Sequence, residues 1–401
     1  MKRKEKIDSV TVVLCFLSLV SSLSVDLYWP AIKLIREDFH CSELSMQIGM
    51  GINFMFPALV GFIYGYLADR FGRRPVLLLG TLILLLGNIG CFFAKDIFTF
   101  NTFRSILGFG AGAVSIIPST IFVEQYSKNY AIRMISLNAS FQALGLIIAP
   151  NIGALILRFF YWKVCFLFLI CSTLIALLML YTKLPETLDF TKEKRTNIKD
   201  DIIDYRNILK SKSFILNNLI LSLPMGAFFV AALSLSFIYI EKLGMSPLTY
   251  AYFKTFGPII CFVVSFYTRS FIKKYGIEST IKWGITSTII GSLFFIMSLC
   301  FADNNPYFIT LSLTVYSFLF PILYPPIIGK ILNSSSYKKC FVSSVCFNIR
   351  SFFVWMGTII SGLVYNGSLI PSAIILLLAA ATSFMLYRLT SSSSTLKRKE
   401  L

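Results

Sequence analysis

Apolar runs of about 20 residues recur twelve times along this chain, and each is long enough to cross a ~30 Å hydrocarbon core as a helix. They fall at roughly 8–32, 45–68, 75–94, 98–122, 134–157 and 163–182, and again at 214–240, 248–268, 279–300, 307–331, 341–365 and 369–388. With 56% hydrophobic and 14% charged residues and a mean hydropathy of +0.75, the chain is too apolar for a soluble domain. The expected fold class is an all-α membrane protein with twelve transmembrane helices. One long polar segment, 183–213, divides it into two six-helix bundles, 1–182 and 214–401, joined by a linker.

The charges tell one side of the membrane from the other. Lys2, Arg3, Lys4 and Lys6 precede the first span. Further Lys and Arg clusters follow the second, fourth, sixth, eighth and tenth spans and end the chain, and the alternate loops are poor in them. Both termini and the linker are therefore expected on the cytoplasmic side. The opening MKRKEK imitates a secretory signal, but its apolar run is too long and lacks an A-x-A-like site, so it reads as an uncleaved span. A net charge of +18 distributed in this way reads as topology, and no nucleic-acid partner is expected. The nine cysteines form no C-x-x-C pair and His40 is the single histidine. That pattern points to no metal, no cofactor and no catalytic cluster, so the chain is not expected to be an enzyme.

The second and third spans are joined by GYLADRFGRRPVL, Gly65 to Leu77. Four ionised groups in six residues cannot lie in hydrocarbon, so this is a tight aqueous turn. Gly72 suits a turn that needs positive φ, and Pro75 suits the first turn of a helix. Positive-inside retention explains the arginines but neither Asp69 nor the glycines. Glu124 and Arg133, flanking the loop after span 4, either join the charge network around Asp69 and Arg73 or are simply solvated.

Polar groups inside the spans are the candidates for function, because charge in a membrane is costly and needs a partner. Asp26, in the first span, is a candidate proton-binding group; the alternative is a polar helix exit before Pro30. Arg104, in the fourth span, stands at a matching depth. Burial disfavours the charged form of Asp26 and a neighbouring arginine favours it, so the two effects compete. Gly145, Ala149 and Gly153 make a smooth stripe on the fifth span, which Pro150 bends; taken alone, such a stripe is more often packing than function. Two more cations lie in spans. Lys254 either faces a water-filled cavity or snorkels to the outer interface. Arg350 either receives an anionic substrate group or latches to Asp69. Tyr28 joins them as a candidate cavity residue.

Asp69 to Arg74 resembles the loop signature between helices 2 and 3 of the major facilitator superfamily. Arg104 through Gly112 resembles its helix 4 motif, and Gly145 through Ala154 its helix 5 antiporter motif. Asp26-Leu27-Tyr28-Trp29-Pro30-Ala31 and Leu184-Pro185-Glu186-Thr187 are similar to segments of the Bcr/CflA branch of drug:proton antiporters. The resemblance implies the fold of that superfamily, in a bacterial inner membrane, exporting small organic molecules in exchange for protons. It implies Asp26 and Arg104 as coupling residues. Gly65, Asp69, Arg70, Gly72, Arg73 and Arg74 become a conformational motif, with Glu124 and Arg133 beside it. Gly145, Ala149, Pro150 and Gly153 become the antiporter motif. Leu107 and Ala149 depart from the family pattern, and the cations Lys254 and Arg350 tilt the expected cargo toward neutral or anionic compounds, such as a carboxylate-rich metabolite or a siderophore. The expected partners are a small-molecule substrate, protons and the lipid bilayer, and a monomer is expected. Proton-coupled uptake of an anionic nutrient is the second reading, and a polytopic membrane enzyme or receptor the third.

Overall fold

The protein is described from a computed structural model covering residues 8–187, 203, 206–301, 305–334 and 339–399. Most of the expected linker at 183–213, and the side chains of Asp69 and Arg133, lie outside the described residues. The chain divides into two compact units, Met1–Ile198 and Lys199–Leu401. The described residues hold twelve helical segments long and apolar enough to cross a membrane. Six of them lie up to Lys183 and six from Lys212 onward, close to the runs read from the sequence.

In the first unit the helices are α1 Ser9–Asp26, α2 Ile32–Asp38, α3 Glu43–Phe71, α4 Arg73–Phe93, α5 Ile97–Gln125, α6 Lys128–Phe159 and α7 Lys163–Lys183. α1 and α2 form one span, interrupted by a 3₁₀ turn at Trp29–Ala31. Pro30 has no N–H, so the Asp26 carbonyl loses its partner four residues on and the helix breaks there. The starts are capped by short polar side chains. The Asp8 carboxylate accepts from the Thr11 amide at 3.0 Å and that of Asp96 from the Thr99 amide at 2.8 Å. Donation from Thr99 holds the Asp96 carboxyl below the usual carboxylate range. This cap therefore contributes above the unfolded pKa and is lost only as pH falls through the lower folded value. α3 ends on Gly72 at φ 101°.

In the second unit the helices are α8 Lys212–Phe237, α9 Pro247–Tyr275, α10 Ile277–Phe301, α11 Pro306–Tyr316, α12 Tyr324–Ser334, α13 Lys339–Val364 and α14 Ile370–Lys399. α8 runs into a π-helical turn at Ile238–Lys242. α9 ends on Gly276 at φ 81°, the counterpart of Gly72 after an aromatic residue. α11 and α12 form one span with a break between them, a 3₁₀ turn at Ser317–Leu319 followed by turns to Leu323.

The prolines explain that break, and the packed helices show how it is sustained. A proline leaves the carbonyl four residues earlier without its helical donor, and lipid supplies no replacement. Pro321 frees the Ser317 carbonyl, which accepts from Cys261 Sγ of α9 at 3.4 Å and from the Phe320 amide at 3.0 Å. Pro325 frees the Pro321 carbonyl, which accepts from Thr268 Oγ1 of α9 at 2.9 Å. In α8, Pro224 frees the Ile220 carbonyl, which accepts from Ser383 Oγ of α14 at 2.6 Å. Cys261 and Thr268 lie seven residues apart, on one face of α9. Each of these three carbonyls is thus met by a side chain from another helix.

Ser383→Ala and Thr268→Val are each expected to leave a buried carbonyl unpaired at a cost of about 1–3 kcal/mol, read as a lower Tm of the purified protein. Thr382→Ala is the control: that hydroxyl donates to the Leu378 carbonyl of its own helix at 2.8 Å and is expected to leave Tm unchanged.

Candidate functional site

The first cluster surrounds the end of α1. Arg104 of α5 is fully buried, and its Nη1 donates to the Ser24 carbonyl at 3.0 Å. Its guanidinium also lies 4.5 Å from the centre of the Tyr28 ring. Ser24 and Tyr28 stand two residues before and two after Asp26, which is 9% exposed and closes α1. The residues that follow, Leu27 through Ile32, are buried within the first unit. A charged guanidinium is bound here by a main-chain dipole and an aromatic face, an arrangement that makes an intramembrane cation tolerable.

The α6 stripe fits against this part of α1. A Cβ at Gly145 would meet the Leu19 carbonyl at 2.9 Å and Ser22 Cβ at 2.8 Å. A Cβ at Gly153 would collide with the Leu27 carbonyl, within the break. Ala149, between them, is fully buried. The small side chains therefore let α6 seat directly on the α1 backbone, beside Asp26. Leu107, where the helix 4 motif usually has Gln, packs its backbone on Gly87 of α4, whose added Cβ would meet it at 2.7 Å.

Five aromatic rings wall this cluster. Tyr28 packs on Phe100 at 6.1 Å and on Phe166 at 5.7 Å between ring centres. Phe39 and Trp162 continue the group, 5.5 Å apart and nearly perpendicular. Tyr28 is fully buried among them, so it belongs to the core of the first unit and does not line a surface open to solute, as the sequence had suggested. Phe100 and Phe166 come from α5 and α7 and the other three rings from three separate turns, so no periodicity in the sequence announces them.

The second cluster is at the loop. Gly72 and the start of α4 are gripped by Glu186, from the segment after α7. Its carboxylate accepts from the Arg73 amide at 3.0 Å and the Arg74 amide at 3.2 Å, capping α4 from a distant part of the chain. A Cβ at Gly72 would strike this carboxylate, so glycine is needed there for space as well as for φ. The buried Arg73 guanidinium pairs with Glu124 at 2.7 Å and 3.0 Å. Thr187 Oγ1 donates to the other Glu124 oxygen at 3.2 Å. Arg74 donates to the Tyr181 carbonyl at 2.8 Å. Arg70 is exposed and donates to the Tyr66 hydroxyl one turn back at 3.0 Å. Gly65 faces open space within its unit. Sequence reasoning left Glu124 between this network and simple solvation, and assigned Glu186 and Thr187 no part in it.

The remaining candidates are in the second unit. Lys254, in α9, keeps its ammonium shielded from solvent, so it does not snorkel outward. Arg350, in α13, is half-buried, with its guanidinium 4.6 Å from the Tyr324 ring centre and 5.5 Å from that of Phe347.

Residues 14–339 match the family model described as Major Facilitator Superfamily. The chain is 25% identical over 286 residues to the bicyclomycin resistance protein homolog of Haemophilus influenzae, covering 70% of this chain and 71% of that one. It is 24% identical over 329 residues to the multidrug resistance protein MdtM of Escherichia coli, covering 80% of this chain and 78% of that one. The partially occluded inward open xylose transporter XylE from E. coli superposes with a TM-score of 0.74 at 14% identity, over 96% of this chain and 97% of that one. At that identity the likeness is one of fold.

Gly72→Ala is expected to lower Tm more than Glu186→Ala, because it adds positive-φ backbone strain of about 1–3 kcal/mol to the loss of the cap. Gly65→Ala is expected to leave Tm unchanged. Equal Tm values for all three variants would remove the Glu186 cap from the account.

Proposed function

The chain belongs to the major facilitator superfamily and is a membrane transporter rather than an enzyme, and from its site we propose that it exports small organic molecules in exchange for protons. One observation carries the reading: Arg104 is bound at two points that bracket Asp26, an acid buried at the break of the first span. Burial penalises the Asp26 carboxylate, and the nearby guanidinium stabilises it. Protonation removes one member of this balance at the point where α1 turns into its 3₁₀ segment, so charge and backbone geometry are linked there. Inward proton movement through Asp26 then drives alternating access, with cargo moving outward.

The relatives support efflux, since one is named for bicyclomycin resistance and one for multidrug resistance. The assigned roles follow the same reading. Asp26 and Arg104 couple the proton. Gly145, Ala149, Pro150 and Gly153 hold α6 on α1. Asp69, Arg70, Arg73 and Arg74, with Glu124, Arg133 and Glu186, set the conformational balance. The two six-helix bundles work as the moving bodies, the linker between them lies on the cytoplasmic side of a bacterial inner membrane with both termini, and the protein acts as a monomer. The cations Lys254 and Arg350 tilt the cargo toward neutral or anionic compounds, a carboxylate-rich metabolite or siderophore among them. The same cations favour the second reading, proton-coupled uptake of an anionic nutrient, and the sign of accumulation in cells with and without the gene separates the two.

In everted vesicles, Asp26→Asn is expected to bring proton-driven transport down to background while the protein stays folded and monodisperse; coupling retained by this variant would exclude Asp26. Pro150→Ala is expected to raise proton leak in the absence of substrate, and a wild-type leak would reduce the α6 stripe to packing alone.

A further inference from the structure

The face that α1 turns toward α6 carries a polar group at nearly every turn. Thr11, Cys15, Ser18, Ser22 and Asp26 recur every three or four residues, so they share one face of the helix. Two contacts fix which neighbour that face meets. Near its start, Thr11 Oγ1 lies 3.7 Å from Met134 Sδ of α6. Near its end, a Cβ at Gly145 of α6 would meet Ser22 Cβ at 2.8 Å. The two helices therefore run in the same direction. Asn138 follows Met134 by four residues and precedes Gly145 by seven, so it stands on the α1 face of α6, level with the stretch between Thr11 and Ser18.

Hydroxyls in such a seam often serve packing, each bonded back to its own helix. Two atoms here are not used that way. The Ser18 hydroxyl is fully buried, and the side-chain carbonyl of Asn138 belongs to a residue 8% exposed; neither bonds to a described residue. Orphaned polar atoms on the two sides of one seam are met by bridging water. The amino-terminal end of the seam has a proton acceptor. Asp8, which caps α1, is half-buried, and its Oδ1 accepts from the Tyr126 hydroxyl at 2.6 Å. The Thr11 and Tyr126 hydroxyls are 3.0 Å apart. Since the Tyr126 hydrogen goes to Asp8, Thr11 donates to the Tyr126 oxygen, and the donors point in series out of the seam. Toward the other end, Ser22 donates to the Ser18 carbonyl at 3.0 Å, which leaves its lone pairs to accept. Asp26 follows one turn on, about 6 Å along the axis, a gap that one water bridges.

We propose that the α1–α6 seam is the path by which a proton passes between Asp26 and the amino-terminal side, expected to be cytoplasmic. The carriers are Ser22, Ser18, water held on Asn138, Thr11, Tyr126 and Asp8. The inference rests on the reading of Asp26 as the proton-binding group. In each transfer one O–H bond breaks as the next forms. Asp26 gives its proton toward the Ser22 oxygen while Ser22 passes on its own, and Tyr126 gives its proton to Asp8 while receiving one from Thr11. The hydroxyls end as they began, and the net change is a proton lost by Asp26 and gained by Asp8, which returns it to bulk water. Asn138 has no proton to relay and only holds water in line.

The test is time-resolved infrared spectroscopy of the full chain in proteoliposomes, following the protonated-carboxyl stretch that Asp26→Asn removes. A membrane-impermeant caged acid is photolysed on the amino-terminal side. Tyr126→Phe, Thr11→Val and Ser18→Ala are each expected to slow protonation of Asp26 at least about tenfold while leaving its equilibrium titration unchanged. Thr11→Ser, which keeps the hydroxyl, is expected to hold the wild-type rate, and Tyr126→Phe serves if the valine variant misfolds. Wild-type rates in folded Tyr126→Phe and Ser18→Ala overturn the proposal. Slowing shared by Thr11→Ser, or equal slowing with the acid released on the opposite side, assigns the seam to packing and overturns it too. Absence of any carboxyl band that Asp26→Asn removes overturns the coupling reading along with the relay, whereas unchanged rates with that band present overturn the relay alone.

Discussion

A carbonyl that loses its helical donor inside a bilayer has no water to turn to, and that constraint shapes both units. Prolines create such carbonyls at defined places, four residues before each ring. In the second unit three of them are met by Cys261, Thr268 and Ser383, each reaching across from another helix. In the first unit Pro30 ends α1 at Asp26, and the α6 glycines allow a neighbour to close over the exposed backbone. The irregular segments are therefore places where the fold commits side chains to keep the main chain satisfied. They are also where the ionisable groups gather, since a backbone out of helical register offers carbonyls to cations.

Intramembrane charge follows the same economy of partners. Arg104 is made bearable by a carbonyl and a ring, with Asp26 between its two contacts in the chain. The aromatic wall of Tyr28, Phe39, Phe100, Trp162 and Phe166 keeps that neighbourhood dry, which strengthens every electrostatic interaction in it. Arg350 lies against the Tyr324 and Phe347 rings and pairs with no carboxylate among the described residues.

The sequence announced the helices well, because span length and apolarity are local properties and a bilayer leaves few alternatives to a helix. The Gly72 turn and the α6 stripe were legible for the same reason, as backbone demands written in single residues. The partners were not. Glu186 lies more than a hundred residues from the amides it caps, and nothing in its surroundings names them. Tyr28 looked like a cavity residue beside Asp26, yet its ring belongs to a core assembled from distant aromatics. The break near Pro321, Pro325 and Pro326 could have been suspected from the prolines alone, whereas the α9 side chains that sustain it appear only once the helices are packed. Charge pairing and carbonyl rescue are decided by tertiary contacts, and residue order constrains these weakly.

The grip of Glu186 and Thr187 on the α3–α4 turn has a bearing on how this polypeptide can be divided. The two residues lie beyond the last turn of α7, where an alignment by hydropathy would assign them to a dispensable tether. They are instead tied to the first six spans through the Arg73 and Arg74 amides and Glu124. Expressing the protein as two separately translated fragments, or inserting a reporter between its halves, calls for a junction downstream of Thr187. A cut placed at Lys183, where the apolar stretch stops, would strip the amino-terminal fragment of the carboxylate that seats its Gly-Arg-Arg corner.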